Sequence, residues 1–401
     1  MRIALISVHG CPTARLGAKD TGGMNVLLRE TARELGRLGH TVDVYTRTHD
    51  VRDPQIVPIG QGARVIHINA GDLATAKRDL AAHLPQFTEH LAEYAQSMGL
   101  RYELIHAHYW LSAPVAFTLK ARWGLPVAVS FHTLGKVQGI VRAGEPDAKD
   151  RIPAEEMAVA QADAIVAGSP HEIEQLVNLY GARHDRVSLV PCGFDQSLFK
   201  PITRRAARDS LGLNGHKIVL FVGRMERIKG ADILLRAVAA LDSSLDSQLI
   251  VIGGSEADPE RRRLQRMARG LGIEHRMLFV DAVPQKDLPL YYSAADVCVV
   301  PSFYETFGLV ALEALACGTP VIAAKVGGLQ HTVSHGKTGY LVPWHCPEPY
   351  AEKLEVLLAN DHLRESLGQA AQAAAKGQSW EAAAKRVLSV YEGLVKEATR
   401  V

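Results

Sequence analysis

Residues 301–320 read PSFYETFGLVALEALACGTP, and this stretch decides how the rest of the chain is read. The apolar run Val297 to Val300 stops at Pro301, so a buried strand is expected to end there. A short polar turn follows. Leu309 to Ala316 is rich in Ala and Leu, the residues that lose least on entering a helix, and Gly318 and Pro320 close it. Glu305 then falls in the loop and Glu313 inside the helix, an E-x7-E pattern. Thr306, Phe307, Gly308 and Leu309 would offer unpaired backbone N–H groups at the positive end of the helix dipole, a place that attracts anions. Carboxylates beside an anion site make sense for a ligand that carries both phosphate and hydroxyls. Taken alone, the pattern reads better as a core helix with two solvated glutamates.

A second stretch changes the balance. Phe221 to Gly230 reads FVGRMERIKG: a strand pattern from Ile218 to Val222, a turn opened by Gly223, then Arg224 and Lys229 as R-x4-K on the loop and helix start. A forked guanidinium and a compact ammonium can clamp a diphosphate together. Either motif alone is weak, since basic pairs on loops are usually solvated. Both, at this spacing, make the chain resemble glycosyltransferase family 4 over nearly its whole length. That resemblance implies an α/β chain of the GT-B fold, two facing Rossmann-like domains with parallel sheets and an interdomain cleft, and retaining transfer from a nucleotide-sugar.

Composition bounds the alternatives. The 401 residues suffice for about two to three domains. With 47% hydrophobic and 22% charged residues and a formal charge of +2, the chain reads as soluble and globular, with no basic footprint for nucleic acid. Five dispersed cysteines without a C-x-x-C pair suggest reduced thiols in packing roles and a cytoplasmic protein. The start, MRIALISVHG, is too short an apolar run for a signal peptide, and no stretch approaches the roughly 20 apolar residues of a membrane span. Peripheral membrane contact and a homodimer both remain compatible with this composition.

Taken in order, Ile3 to Val8 is a strand pattern, Val26 to Gly39 a helix and Thr41 to Tyr45 a strand, a βαβ unit around the loop HGCPTARLGAKDTGGMN. The loop holds Gly22-Gly23 but no G-x-G-x-x-G, which argues against a dinucleotide cofactor. Strands follow at Val65–Ile68, Leu104–His108, Val127–Phe131, Ala164–Gly168 and Val187–Val190. His106 and His108 share a strand face and could ligate a metal by spacing, but without a third ligand nearby a hydrogen-bonded core or cleft role is the better reading. His132-Thr133 close the Val127 strand, at the end where open sheets bind ligands. Glu145 to Arg151 reads as a charged mobile loop before a helix, and Pro191 to Pro201 as an interdomain linker. The second half repeats the alternation, which predicts domains of 1–200 and 201–379, with helix 380–401 packing back on the first by resemblance.

The remaining assignments are implied by the resemblance. Arg224, Lys229 and helix N-termini would neutralise the leaving diphosphate. The chain has no D-x-D, so no divalent metal is expected to be catalytic and no cofactor is required. Glu305 would hold hydroxyls of the transferred sugar with the amides of Phe307, Gly308 and Leu309 close by, and Glu313 would accept from the ribose hydroxyls. His132 would reach the sugar and support developing positive charge, with His9 and Gly23 near the donor. Asp20 and Asn25 would face the acceptor. Within the family the chain most resembles the mycothiol-pathway N-acetylglucosaminyltransferases acting on inositol phosphate, and the sucrose-phosphate synthases. Lys77, Tyr109, Thr133 and Arg151 stand where the former hold the acceptor phosphate. Four unrelated residues that never meet is the competing reading. A neutral sugar, lipid or glycan acceptor, a sugar-nucleotide epimerase of the same fold and an inactive binding module stay as alternatives.

Overall fold

The computed structural model describes residues 1–14, 21–141, 149–213 and 215–400. Two compact units emerge, one of Met1–Ala14, Gly23–Cys192 and the segment from Trp380, the other of Gly193–Ser379 with the short stretch ending at Gly22. In the first, eight strands form one sheet: β1 (Arg2–Ile6), β2 (Thr41–Arg47), β3 (Ile56–Gly60), β4 (Ala63–Ile68), β5 (Leu104–His108), β6 (Val127–Ser130), β7 (Ala164–Ala167) and β8 (Val187–Leu189). Their order is β3-β4-β2-β1-β5-β6-β7-β8. All pairs are parallel except β3 with β4. The inner strands β5, β6 and β7 are buried at every residue; β6 and β7 read as unbroken runs of apolar or small residues, and β5 (LIHAH) adds two buried histidines. Strand β3 was not legible in the sequence. Pro58 interrupts it and its residues alternate between exposed and half-buried, as suits an antiparallel edge.

The second unit holds six strands, all parallel: β9 (Lys217–Val222), β10 (Ser247–Ile252), β11 (Met277–Val280), β12 (Val297–Val300), β13 (Val321–Ala324) and β14 (Gly339–Val342), in the order β11-β10-β9-β12-β13-β14. In each sheet the chain reverses its direction of winding once, at β1/β5 and at β9/β12. At such a switch point the connections leave to opposite sides, and the carboxyl ends of the two strands frame a crevice. Residues just past β1, β5, β9 and β12 are therefore where chemistry is expected.

Two boundaries differ from the sequence reading. Residues 193–200 go with the second unit rather than the first: Phe194 and Phe199 are buried in its core with Tyr292 and Leu312, and the Phe194 N–H bonds the Gln378 carbonyl at 3.0 Å. Aromatic burial overrides the loop-like composition of that segment. The helix Arg151–Gln161 takes in Arg151, which the sequence placed in a charged loop. Residues 145–148 of that loop lie outside the described residues. The C-terminal helix Trp380–Ala398 lays Ala384, Val387, Tyr391 and Leu394 into the core of the first unit beside Ile3, Leu5 and Leu28.

Candidate active site

In the second unit the two sequence motifs meet. The helix Leu309–Ala316 begins at Gly308, whose φ of 73° is a left-handed turn that glycine adopts without Cβ strain. Glu305 precedes it, and its Oε2 accepts from Lys229 Nζ at 2.6 Å, so R-x4-K and E-x7-E share one ion pair. The loops are locked together by backbone: Phe303 N–H bonds the Ile228 carbonyl at 2.8 Å and Gly328 N–H the Glu305 carbonyl at 2.9 Å. A Cβ at Gly327 would lie 1.9 Å from the Glu305 carbonyl oxygen, so the Gly327-Gly328 pair after β13 sets where Glu305 sits. These glycines were legible only as a pair at a strand end, the one signal of them in the sequence. Arg224 pairs with Glu226 at 2.6 Å on the same loop. Glu313 is buried; Tyr292 donates to one of its oxygens at 2.8 Å and Gln285 to the other at 3.2 Å. Burial pushes its carboxyl up to about 7, against the lowering effect of those two donors. A carboxylate has about four lone-pair positions, so room remains for two hydroxyls.

In the first unit the four residues proposed to hold a phosphate meet: Lys77 and Arg151 lie over the Tyr109 ring, and Thr133 bonds Arg151. Tyr109 follows β5. Lys77 Nζ lies 4.5 Å and Arg151 Cζ 5.3 Å from its ring centroid, and the His9 ring is 4.4 Å away. Thr133 Oγ1 accepts from Arg151 Nη2 at 3.0 Å. The reading of four residues that never meet is thereby removed. Lys77 opens the 3-10 turn Lys77–His83. Arg151 is held on its other nitrogens by Glu155 at 2.8 Å and Gln138 at 2.7 Å. Glu155 also accepts from the Gly135 N–H and the Tyr180 hydroxyl, and burial still raises its carboxyl above the usual range despite Arg151.

Among the described residues, Tyr109 (φ 73°) and His132 (φ 63°) are the only non-glycine residues with positive φ. Each such residue stores roughly 1–3 kcal/mol of backbone strain, and strain of this kind gathers at functional sites. Both are sequence-predicted site residues, and both sit at strand ends beside the switch point. His132 Nε2 shares a hydrogen bond with His108 Nδ1 at 3.0 Å. Burial drops the His132 pKa to about 3, so its ring is neutral at pH 7. The expectation that His132 supports positive charge is therefore narrowed to a neutral, dipolar imidazole.

His106 has the core role its spacing suggested. Ser130 Oγ donates to the Val166 carbonyl at 3.0 Å, so it accepts from His106 Nε2 at 3.1 Å. His106 Nδ1 is then the acceptor for the Tyr391 hydroxyl at 2.6 Å. The C-terminal helix thus fixes a tautomer two residues along β5 from His108 of the His108–His132 pair. Gly23 is exposed at the start of the helix Gly23–Arg37, and the buried Asn25 amide donates to the Cys11 carbonyl at 2.8 Å. Asp20 lies outside the described residues.

Residues 22–193 match the family described as Glycosyl transferase 4-like domain, and residues 203–374 match Glycosyl transferases group 1. The D-inositol 3-phosphate glycosyltransferase of Corynebacterium diphtheriae is 41% identical over 98% of this chain and 94% of that protein. D-inositol 3-phosphate glycosyltransferase 2 of Catenulispora acidiphila is also 41% identical, over 99% and 96%. Among solved structures, sucrose-phosphate synthase from Thermosynechococcus elongatus matches with a TM-score of 0.92 at 36% identity, covering 99% of each chain. No described helix is long and apolar enough to cross a membrane. The chain belongs to the glycosyltransferases of these group 1 and 4-like families, and it has their GT-B fold of two Rossmann-like units.

Proposed function

We propose that this glycosyltransferase moves a sugar from a nucleoside-diphosphate sugar, UDP-glucose or UDP-N-acetylglucosamine, to a small phosphorylated acceptor such as inositol phosphate or a hexose phosphate. The observation that carries it is the convergence of Lys77, Arg151 and Thr133 around Tyr109: two cations and a hydroxyl suited to a phosphate monoester. The names of the relatives point the same way, D-inositol 3-phosphate in one group and sucrose phosphate in the other. In this reading the first unit is the acceptor side and the second the donor side. The five free cysteines fit a reducing cytoplasm.

Arg224, Lys229 and the amides of Phe307 to Leu309 receive the diphosphate, and Lys229 exchanges its Glu305 partner for phosphate oxygens as the donor binds. Glu305 is freed to accept from sugar hydroxyls, and the ionised form of Glu313 accepts from the ribose. The C1–O bond to the diphosphate breaks, a new C1–O bond forms to the acceptor hydroxyl from the same face, and the acceptor proton passes to the leaving phosphate. The neutral His132 orients a sugar hydroxyl and contributes its dipole to the oxocarbenium-like transition state. The negative charge that develops on the leaving group is met by positive side chains, so no divalent ion is needed there.

The test is transfer by the wild-type protein to inositol phosphate and glucose phosphates, each against its dephosphorylated form, with the product anomer read by NMR. Preference for the phosphorylated forms by at least about tenfold, retention, and rates within about twofold with or without added magnesium are expected. Equal use of both forms would place the enzyme among transferases for neutral acceptors, and an inverted anomer would end the same-face mechanism.

A further inference from the structure

Three side chains that this reaction leaves unused meet at one end of the first sheet. Cys11 lies in the loop after β1, His49 two residues past β2, and His67 within β4. Strands β4, β2 and β1 are neighbours in that order, and Thr46 stands opposite His67, so all three residues come from the carboxyl ends of adjacent strands. One ligand atom from each lies within 4.8 Å of the other two. Cys11 Sγ is 3.4 Å from His67 Nε2, and the two imidazole centroids are 5.8 Å apart.

Each histidine is already oriented. His67 Nδ1 donates to the Pro54 carbonyl at 2.6 Å and His49 Nδ1 to the Arg47 carbonyl at 2.8 Å. A carbonyl only accepts, so in the neutral rings Nδ1 carries the proton and Nε2 keeps its lone pair. Imidazoles tied to backbone carbonyls through the far nitrogen are the usual outer shell of a metal site. Ligands at tetrahedral angles about zinc, with bonds of roughly 2.0–2.3 Å, stand about 3.3–3.8 Å apart, so a modest contraction of this group would suffice.

We propose that Cys11, His49 and His67 bind one thiophilic divalent cation, zinc first among them, with a fourth position filled by water or the Thr13 hydroxyl. One sulfur and two nitrogens favour zinc or cobalt over magnesium, which prefers oxygen. Thr13 Oγ1 is 3.0 Å from Cys11 Sγ, and His49 is on the exposed side where solvent has access. The Asp53 carboxylate, 3.6 Å from His49 Nδ1, adds negative charge nearby. The ion would fasten the β1 loop. The Cys11 carbonyl already receives the Asn25 amide and the Gly10 carbonyl the Ser7 hydroxyl, so anchoring Cys11 holds the loop that places His9 against Tyr109. This role is structural, so it stands whether or not the acceptor carries a phosphate.

The experiment is a cobalt(II) titration of the full-length metal-free protein, followed by absorption. Wild type is expected to bind one equivalent, with a thiolate-to-cobalt charge-transfer band in the near ultraviolet, intense visible bands of a four-coordinate site, and displacement by zinc. Cys11→Ser should lose the charge-transfer band, and His67→Gln should keep it while weakening binding at least about tenfold. Cys346→Ser, which removes the exposed thiol, should change nothing. Absence of the band in wild type, or its survival in Cys11→Ser, would overturn the proposal and leave a cysteine hydrogen-bonded to histidines only. The wild-type spectrum decides even if a variant fails to fold.

Discussion

The first unit holds key candidate site residues on strained and buried parts: Tyr109 of the phosphate set and His132 of the sugar contact in left-handed backbone, and Arg151 at 1% side-chain exposure against Glu155 at 0%. The second unit holds its candidate diphosphate residues on loops, with Lys229 and Glu305 each 20% exposed and Arg224 32%. Each set has a member at the switch point of its sheet, Tyr109 after β5 and Arg224 and Glu305 after β9 and β12. They differ in where their cost is met. The Tyr109 cluster is assembled when the chain folds, so its geometry is fixed before any ligand arrives. The Lys229–Glu305 pair is only partly buried, so breaking it costs less than breaking Arg151–Glu155, and it can be exchanged for ligand contacts. A pre-assembled candidate acceptor pocket and an exchangeable candidate donor clamp would follow from one topology by different use of burial.

The largest effect that would sharpen this contrast is on stability. Arg151→Ala leaves Glu155 buried without its cation, which is expected to cost about 3–5 kcal/mol by denaturant unfolding. Pairing it with Glu155→Gln should recover much of the loss. A cost below about 1 kcal/mol for Arg151→Ala would mean the two clusters are built alike. Next, Lys229→Ala or Arg224→Ala should lower kcat/KM by about 10²–10³ while leaving the melting temperature nearly unchanged. Comparable loss of stability would remove the distinction from the other side.

A pH series reads the buried carboxylates of both units. Glu313 in the second and Glu172 in the first are each pushed by burial from 4.5 to about 7. A carboxyl with a raised folded pKa favours the folded state below its unfolded pKa, and that contribution is lost as pH rises from about 4.5 through 7. Each shift is on the order of 3 kcal/mol, and Glu313→Gln or Glu172→Gln should flatten part of the decline. The two should separate with ligand: UDP should bind Glu313 more tightly above pH 7 than below, and Glu172→Gln should not alter that. The smallest effect is strain itself. At His132, Gly is expected to be more stable than Ala by about 1–2 kcal/mol, the reverse of the usual order. The ordinary order there would show that φ is not held positive in solution.

Much of this was legible because parallel strands buried on both faces leave unbroken apolar runs, and because R-x4-K and E-x7-E each declare a loop entering a helix. The strand-end positions of His132 and Tyr109 could be read the same way. Their positive φ could not, since histidine favours it only weakly and tyrosine not at all. Strand β3 hid behind Pro58 and an exposed Ile56, and the segment holding Phe194 hid its two buried aromatics among loop residues. Arg151 was legible as a cation but not as half of a buried pair, because Glu155 joins it only once the helix Arg151–Gln161 forms. That burial is why Arg151→Ala is a poor probe of acceptor binding and the half-buried Lys77 a better one.

The most direct test of the phosphate pocket is therefore Lys77→Met, assayed on a phosphorylated acceptor, its dephosphorylated form and donor hydrolysis without acceptor. A charge-assisted contact is worth about 1.5–3 kcal/mol, so kcat/KM for the phosphorylated acceptor should fall by roughly tenfold or more while the other two rates hold. Equal losses on all three, or none on the phosphorylated acceptor, would contradict the assignment of the Tyr109 cluster to phosphate.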